Sequence, residues 1–260
     1  MNTSSPSISR AMIFAAGLGT RFKPWTDRHP KALALVNGKS LLQRNIEYLQ
    51  QYGIRDLVIN VHHFADQIRE ALTLNKGWGS TITISDETEQ VLETGGGLKK
   101  ARPYLEGAPF LLMNADILTD LNLSDMIRDH FQHRPLATLA VTNRTTSRYF
   151  LFDEQAQLCG WRNVRTGEEK IARTTSSGAD QGAGAIRMAV PPLVQKAFSG
   201  IHIIDPSIFS LINAEGKFSI VDLYLELAVS RSIRGFDHSH SKLIDVGKPE
   251  SMEVAERLFT

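Results

Sequence analysis

The sequence predicts an α/β fold in three layers: a mostly parallel central sheet between helices, with a small antiparallel excursion in its second half. Three observations lead there. Apolar runs at 11–14, 56–61, 109–113 and 136–141 alternate with segments of helical period, the rhythm of strands joined by crossover helices. Glycine-rich turns follow the first run, at Gly17 and Gly19, and precede a later helix, at Gly95, Gly96 and Gly97. The run at 109–113 ends in Asn114-Ala115-Asp116, polar residues at the strand edge where open sheets bind ligands.

In chain order, residues 1–9 are polar and Ser/Pro-rich and lack the apolar segment of a signal peptide. They read as a disordered leader ahead of a single domain at 10–260. Residues 12–15 form the first strand. Asn37-Gly38-Lys39-Ser40 is a turn, and Ser40 caps a helix at 41–52, whose Leu42, Ile46 and Leu49 share one face. Gly53 stands just past its end. The second strand, 56–61, is followed by His62-His63. Adjacent side chains point to different sides and no further ligand lies at suitable spacing, so the pair reads as polar loop positions near a site. A helix to about 72 and a short strand at 81–85 come next.

Glu93-Thr94-Gly95-Gly96-Gly97 then leads into a helix to about 104. Three glycines ahead of a helix place bare backbone near a ligand. Asp116 at the end of the next strand is costly to bury unpaired. It is a candidate metal ligand, the alternative being a cap on the following turn. Residues 124–134 are helix and 136–141 the fifth strand. The pattern changes there: 148–153 and 157–163 read as a hairpin, and 164–195 as a flexible insertion. Within it, 174–184 holds Gly178, Gly182 and Gly184, a loop composition that suits either a lid or a passive segment. Residues 197–204 return as a strand, Asp205-Pro206 opens a helix, and 221–229 is an apolar core helix.

A chain of 260 residues can bury one sizeable core. A net charge of +1 lacks the basic excess of a nucleic-acid binder. One cysteine, Cys159, leaves no internal disulfide and no Cys-rich metal site. No run approaches the ~18 apolar residues of a membrane span. The expected setting is cytoplasmic, with no nucleic-acid or membrane partner, as a monomer or homodimer.

The stretch from Ala15 to Lys31 carries most of the functional information. Gly17-x-Gly19 alone is weak: Phe22 stands where the dinucleotide fingerprint needs a third glycine, and no P-loop pattern is present. A glycine turn of backbone N–H groups can still cradle phosphate, with Arg21 and Lys31 as countercharge. The full stretch resembles the A-A-G-x-G-T-R-x-x-P-x-T-x-x-x-P-K signature of sugar-1-phosphate nucleotidyltransferases. Ala15, Ala16, Gly17, Gly19, Thr20, Arg21, Pro24, Thr26, Pro30 and Lys31 all match. Asp245-Val246-Gly247-Lys248-Pro249-Glu250 resembles the closing motif of the same enzymes, with Lys248 in place of the usual Thr. The similarity spans about residues 10 to 257.

That resemblance implies a Rossmann-like nucleotide-diphospho-sugar transferase fold. It implies nucleotide binding by Ala15, Ala16, Gly17, Gly19, Thr20, Arg21, Thr94, Gly95 and Gly96, and catalysis by Arg21 and Lys31. It implies Mg²⁺ at Asp116 and Asp245, and sugar contacts from Glu93, Asn114 and Gly200. The partners would be a nucleoside triphosphate and a sugar-1-phosphate. The Glu-Thr-Gly-Gly-Gly turn and the Phe-Ser-Gly-Ile strand look most like short N-acetylmuramate-1-phosphate uridylyltransferases. Mannose- or heptose-1-phosphate guanylyltransferases and a non-catalytic nucleotide-sugar sensor are the alternatives. The sequence lacks the Glu-Lys-Pro stretch that many relatives carry ahead of the sugar strand. An Asp-x-Asp pair, expected of a glycosyltransferase, is replaced by Asn114-Ala115-Asp116.

Overall fold

The computed structural model describes residues 6–173 and 192–260. Alternating burial builds the sheet. Ala11 and Ile13 of β1 (Arg10–Phe14) face one core and Met12 the other, as period-2 side chains must. The short hairpin of β2 (Leu35–Val36) and β3 (Lys39–Ser40) leads into α1 (Leu41–Gln51), where the Ser40 hydroxyl accepts from the Gln43 N–H as the cap. Next come β4 (Asp56–Val61), α2 (Ala65–Leu74), β5 (Thr81–Asp86), α3 (Glu93–Lys100), α4 (Arg102–Leu105) and β6 (Phe110–Asn114). β5, β4, β1 and β6 lie side by side and parallel.

The second half departs from this rhythm. After β7 (Ile117–Thr119) and α5 (Leu123–His133), β8 (Ala137–Thr142) runs parallel to β6 without touching it. A hairpin of β9 (Arg148–Phe152) and β10 (Leu158–Asn163), with β11 (Glu169–Ile171) at its edge, is antiparallel as expected. The long β12 (Val194–Ile204) fills the gap between β6 and β8 in reverse direction and joins the hairpin to the sheet through its first residues. β13 (Ile233–Asp237) adds a parallel strand beyond β8, and β14 (Leu243–Asp245) pairs with β7 in a separate two-stranded sheet.

Helices cover both faces. α1, α2 and α5 bury Leu42, Ile46, Leu49, Ile68, Leu72 and Met126 on one side. α3, α4 and α6 (Ile220–Ala228) bury Leu98, Leu105, Leu223 and Tyr224 on the other. A third cluster places α7 (Ser251–Leu258) beneath the loop after β1, with Phe22, Val246 and Ala255 in contact.

Two expectations need correction. Residues 6–9 are not wholly loose, because Ile8 is buried in the core. The stretch 164–195 is not all loop, since Glu169–Ile171 is a strand; the proposed loop at 174–184 lies outside the described residues.

Candidate active site

A cavity of about 540 Å³ opens at the carboxyl ends of β1 and β6. Its walls include Ala15, Ala16, Gly17, Gly19, Thr20, Arg21 and Lys31 from the first loop, and Asn114 and Asp116 from the end of β6. Glu93 and Thr94 close another side.

The first loop is held from within. Gly19 has φ +60°, and a Cβ there would lie 2.7 Å from the Thr26 methyl and 3.2 Å from Lys31 Cβ. The Thr26 hydroxyl donates to Gly19 O (2.9 Å), and the His63 ring shares a 3.1 Å hydrogen bond with Thr26 O. Thr26 and His63 therefore fasten the loop, and glycine is the residue that lets it fold so tightly. The His62 ring hydrogen-bonds Glu87 O (2.7 Å). Among the described residues no group of three or more His, Cys, Asp or Glu could hold a metal.

Asp116 and Asp245 are brought together by backbone pairing. β14 runs antiparallel to β7, Asp245 opposite Ile117, and the Val246 N–H donates to Asp116 O (2.8 Å). Lys31 Nζ lies 2.5 Å from Asp116 Oδ2. Gly247 explains the closing motif: a Cβ there would lie 2.7 Å from Asp245 Oδ1 and 3.1 Å from Arg21 Nη2. The turn is bare because a carboxylate and a guanidinium crowd it. Burial, then the Asp116 charge, raises the Asp245 pKa against the opposing pull of Lys31 and Arg21. Asp245 Oδ1 is buried without a hydrogen-bond partner. Two mutually repelling carboxylates with an orphaned oxygen fit a hard divalent cation with oxygen ligands.

Gly95 and Gly96 depart from the sequence reading. They lie inside α3, not before it. Their N–H groups both donate to Phe218 O (2.9 and 3.4 Å), so neither is free for a ligand. Their missing Cβ atoms make room for the Phe218 ring and Gly216 O. Gly200 is also away from the wall: with φ +72° it bends β12, packed on Asn114 and Ile117.

Several wall residues carry no sequence signal of comparable strength. Asn60 in β4 accepts from the Ala15 N–H (2.7 Å) and donates to Glu87 Oε1 (2.8 Å), so it sets the start of the loop after β1. A lone amide inside the apolar run Leu57–Val61 was the available clue. Glu87 is buried, which raises its pKa against the Asn60 hydrogen bond; nothing in Asp86-Glu87-Thr88-Glu89 singles it out. Lys217 reaches the cavity from a distant loop and pairs with Glu93 at 3.3 Å.

Sheet and cavity together define an α/β protein with a glycine-lined cavity at its first strand's carboxyl edge. The chain belongs to the nucleotidyl transferase family, whose model matches residues 10–256. It is 30% identical over 257 residues to an N-acetylmuramate alpha-1-phosphate uridylyltransferase of Caulobacter vibrioides, covering 95% of each chain. It is 27% identical over 244 residues to a mannose-1-phosphate guanyltransferase of Yarrowia lipolytica, covering 93% of this chain and 61% of that one. The crystal structure of HddC from Yersinia pseudotuberculosis complexed with GMP-PN shares the fold, with TM-score 0.70 and 20% identity over 97% of this chain and all of that one. Among the described residues no helix is long and apolar enough to cross a membrane.

Proposed function

We propose that the chain transfers a nucleotidyl group from a nucleoside triphosphate to a sugar-1-phosphate, releasing pyrophosphate, with UTP and N-acetylmuramate-1-phosphate as the substrates. The observation that carries this reading is the meeting of Arg21, Lys31, Asp116 and Asp245 around one glycine loop. The 95% mutual coverage with the uridylyltransferase supports the choice of substrates.

The attacking sugar phosphate is mostly dianionic at neutral pH, since its second pKa is about 6. It needs no general base, only alignment and charge neutralisation. The loop N–H groups and Lys31 hold the triphosphate in line. Arg21 meets the charge that develops on the departing pyrophosphate. Asp116 and Asp245 would hold Mg²⁺, which neutralises charge on the reacting phosphate oxygens. A second reading, GTP with mannose- or heptose-1-phosphate, is favoured by Glu87: a buried carboxyl on the cavity wall matches the donor edge of guanine.

Pyrophosphate release with Mg²⁺ across four nucleoside triphosphates and a panel of sugar-1-phosphates tests both. A strong signal with UTP and N-acetylmuramate-1-phosphate is expected. A signal with GTP and mannose- or heptose-1-phosphate would move the substrate and keep the chemistry. Nucleotide binding without any release would leave a sensor.

A further inference from the structure

Among the described residues three cations line the cavity: Arg21, Lys31 and Lys217. Two of them belong to its carboxylate end. Lys31 Nζ lies 2.5 Å from Asp116 Oδ2, and Arg21 Nη2 lies against Gly247, next to Asp245. Lys217 comes from another segment, the loop ahead of α6. Its carboxylate partner among the described residues is Glu93, the first residue of α3 and itself on the cavity wall, at 3.3 Å.

Both ends of this pair are mounted on fixed backbone. The Phe218 N–H donates to Leu92 O (3.2 Å), and the Gly95 N–H donates to Phe218 O (2.9 Å). Lys99 Nζ donates to Ala214 O (2.8 Å), and the Ile220 N–H donates to Thr94 Oγ1 (3.0 Å). Four hydrogen bonds therefore clamp the stretch around Lys217 to the stretch around Glu93. Glu93 also has φ +57°, a conformation that residues with a Cβ keep only where their surroundings impose it. The two side chains themselves stay open to water, at 55% and 46% exposure. An ion pair so exposed adds little stability. Its rigid mounting on a substrate cavity points instead to a ligand, and its exposure lets the pair open to one.

We infer that Lys217 is a specificity-determining residue that favours acidic sugars, its ammonium leaving Glu93 to bind a carboxylate on the sugar of the sugar-1-phosphate. The inference rests on the transferase reading and deepens it, naming the feature of the sugar that the cavity selects. The phosphates have Arg21 and Lys31 at the carboxylate end, and nucleobase and ribose carry no charge. A sugar carboxylate is the anion left for Lys217. A neutral sugar offers nothing in exchange for Glu93, so the pair stays closed to it and the discrimination is a difference of two affinities.

The test is calorimetric binding of N-acetylmuramate-1-phosphate, which has a sugar carboxylate, and N-acetylglucosamine-1-phosphate, which has none, with Mg²⁺ and a non-hydrolysable UTP analogue present. Wild type is expected to prefer the acidic ligand. Lys217→Met is expected to weaken that ligand roughly 10-fold, the order of a lost charged hydrogen bond, and to leave the neutral ligand and UTP as they were. Lys217→Arg should restore most of the preference. Glu93→Gln removes the competing carboxylate and should raise the ratio of acidic to neutral affinity about 2- to 5-fold, the scale of an exposed ion pair. A wild type without the preference, or a preference that survives in Lys217→Met, would overturn the assignment. An equal fall for both sugar phosphates would overturn it too, by making the phosphate the anion, and so would a matching fall for UTP. Pyrophosphate release from UTP and either sugar phosphate, with no Lys217-dependent preference, would refute Lys217 and leave the transferase reading standing. A Lys217-dependent preference without pyrophosphate release from any nucleotide would do the reverse.

Discussion

Gly17 and Gly19 at the end of β1, and Gly95, Gly96 and Gly97 in α3, give two glycine-rich stretches of similar composition and different use. A Cβ on Gly17 would meet nothing within 4 Å; the residue opens onto the cavity. In α3 the same lack of side chains admits protein. The Phe218 ring fills the space beside Gly95, and Gly216 O lies against Gly96. The glycines of α3 thus dock the loop that carries Lys217 to the cavity. Composition reports that something comes close to the backbone; only what lies across from it tells whether that is ligand or chain.

The two stretches separate chemistry from stability, and substitutions should do the same. On the first loop, Arg21→Ala should lower kcat roughly 10²- to 10³-fold, the cost of losing one preorganised charge contact, and leave the thermal midpoint in place. A loss of folding instead would make Arg21 a structural residue.

Gly96→Ala should act the other way. Its Cβ meets a backbone oxygen, and overpacking of this kind costs about 1–3 kcal/mol. Urea denaturation should show that cost, with nucleotide affinity per folded molecule kept. Unchanged stability together with lost UTP binding would return α3 to the ligand side. Gly17→Ala should move stability by no more than about 0.5 kcal/mol, as surface changes do, while UTP binding weakens; a UTP affinity equal to wild type would show that ligand does not approach there.

A pH dependence tests the scaffold shared by both. Burial lowers the His130 pKa to about 4, from an unfolded value near 6.5, and its ring bonds Thr138 Oγ1 at 2.9 Å. The unfolded chain takes up that proton first as pH falls. The contribution is therefore complete above pH 6.5 and is lost as pH drops toward 4. The thermal midpoint of wild type should fall through this window, and less steeply in His130→Gln. Parallel slopes would refute this role for His130.

Much of this frame could be read from the sequence. The strand at 56–61, the Ser40 cap and the 148–163 hairpin follow from local pattern, and the signature from Ala15 to Lys31 locates the glycine loop that lines the cavity. What escaped depends on partners far along the chain. β13 contains Arg234 and Gly235 and lacks an apolar run, so its strand character comes from pairing with β8. The reversed insertion of β12 between β6 and β8 is a choice of neighbours that no local period records. Lys217 reaches the cavity that Glu87 also lines only because α3 accepts the 214–218 loop so closely.

The most direct measurement is pyrophosphate release from UTP and N-acetylmuramate-1-phosphate against Mg²⁺ concentration, for wild type and Asp245→Asn. Wild type should release pyrophosphate only with the metal, and Asp245→Asn should be slower and need more of it. An Asp245→Asn variant with wild-type rate and Mg²⁺ dependence would contradict the assignment of the two carboxylates to one metal-assisted transfer site.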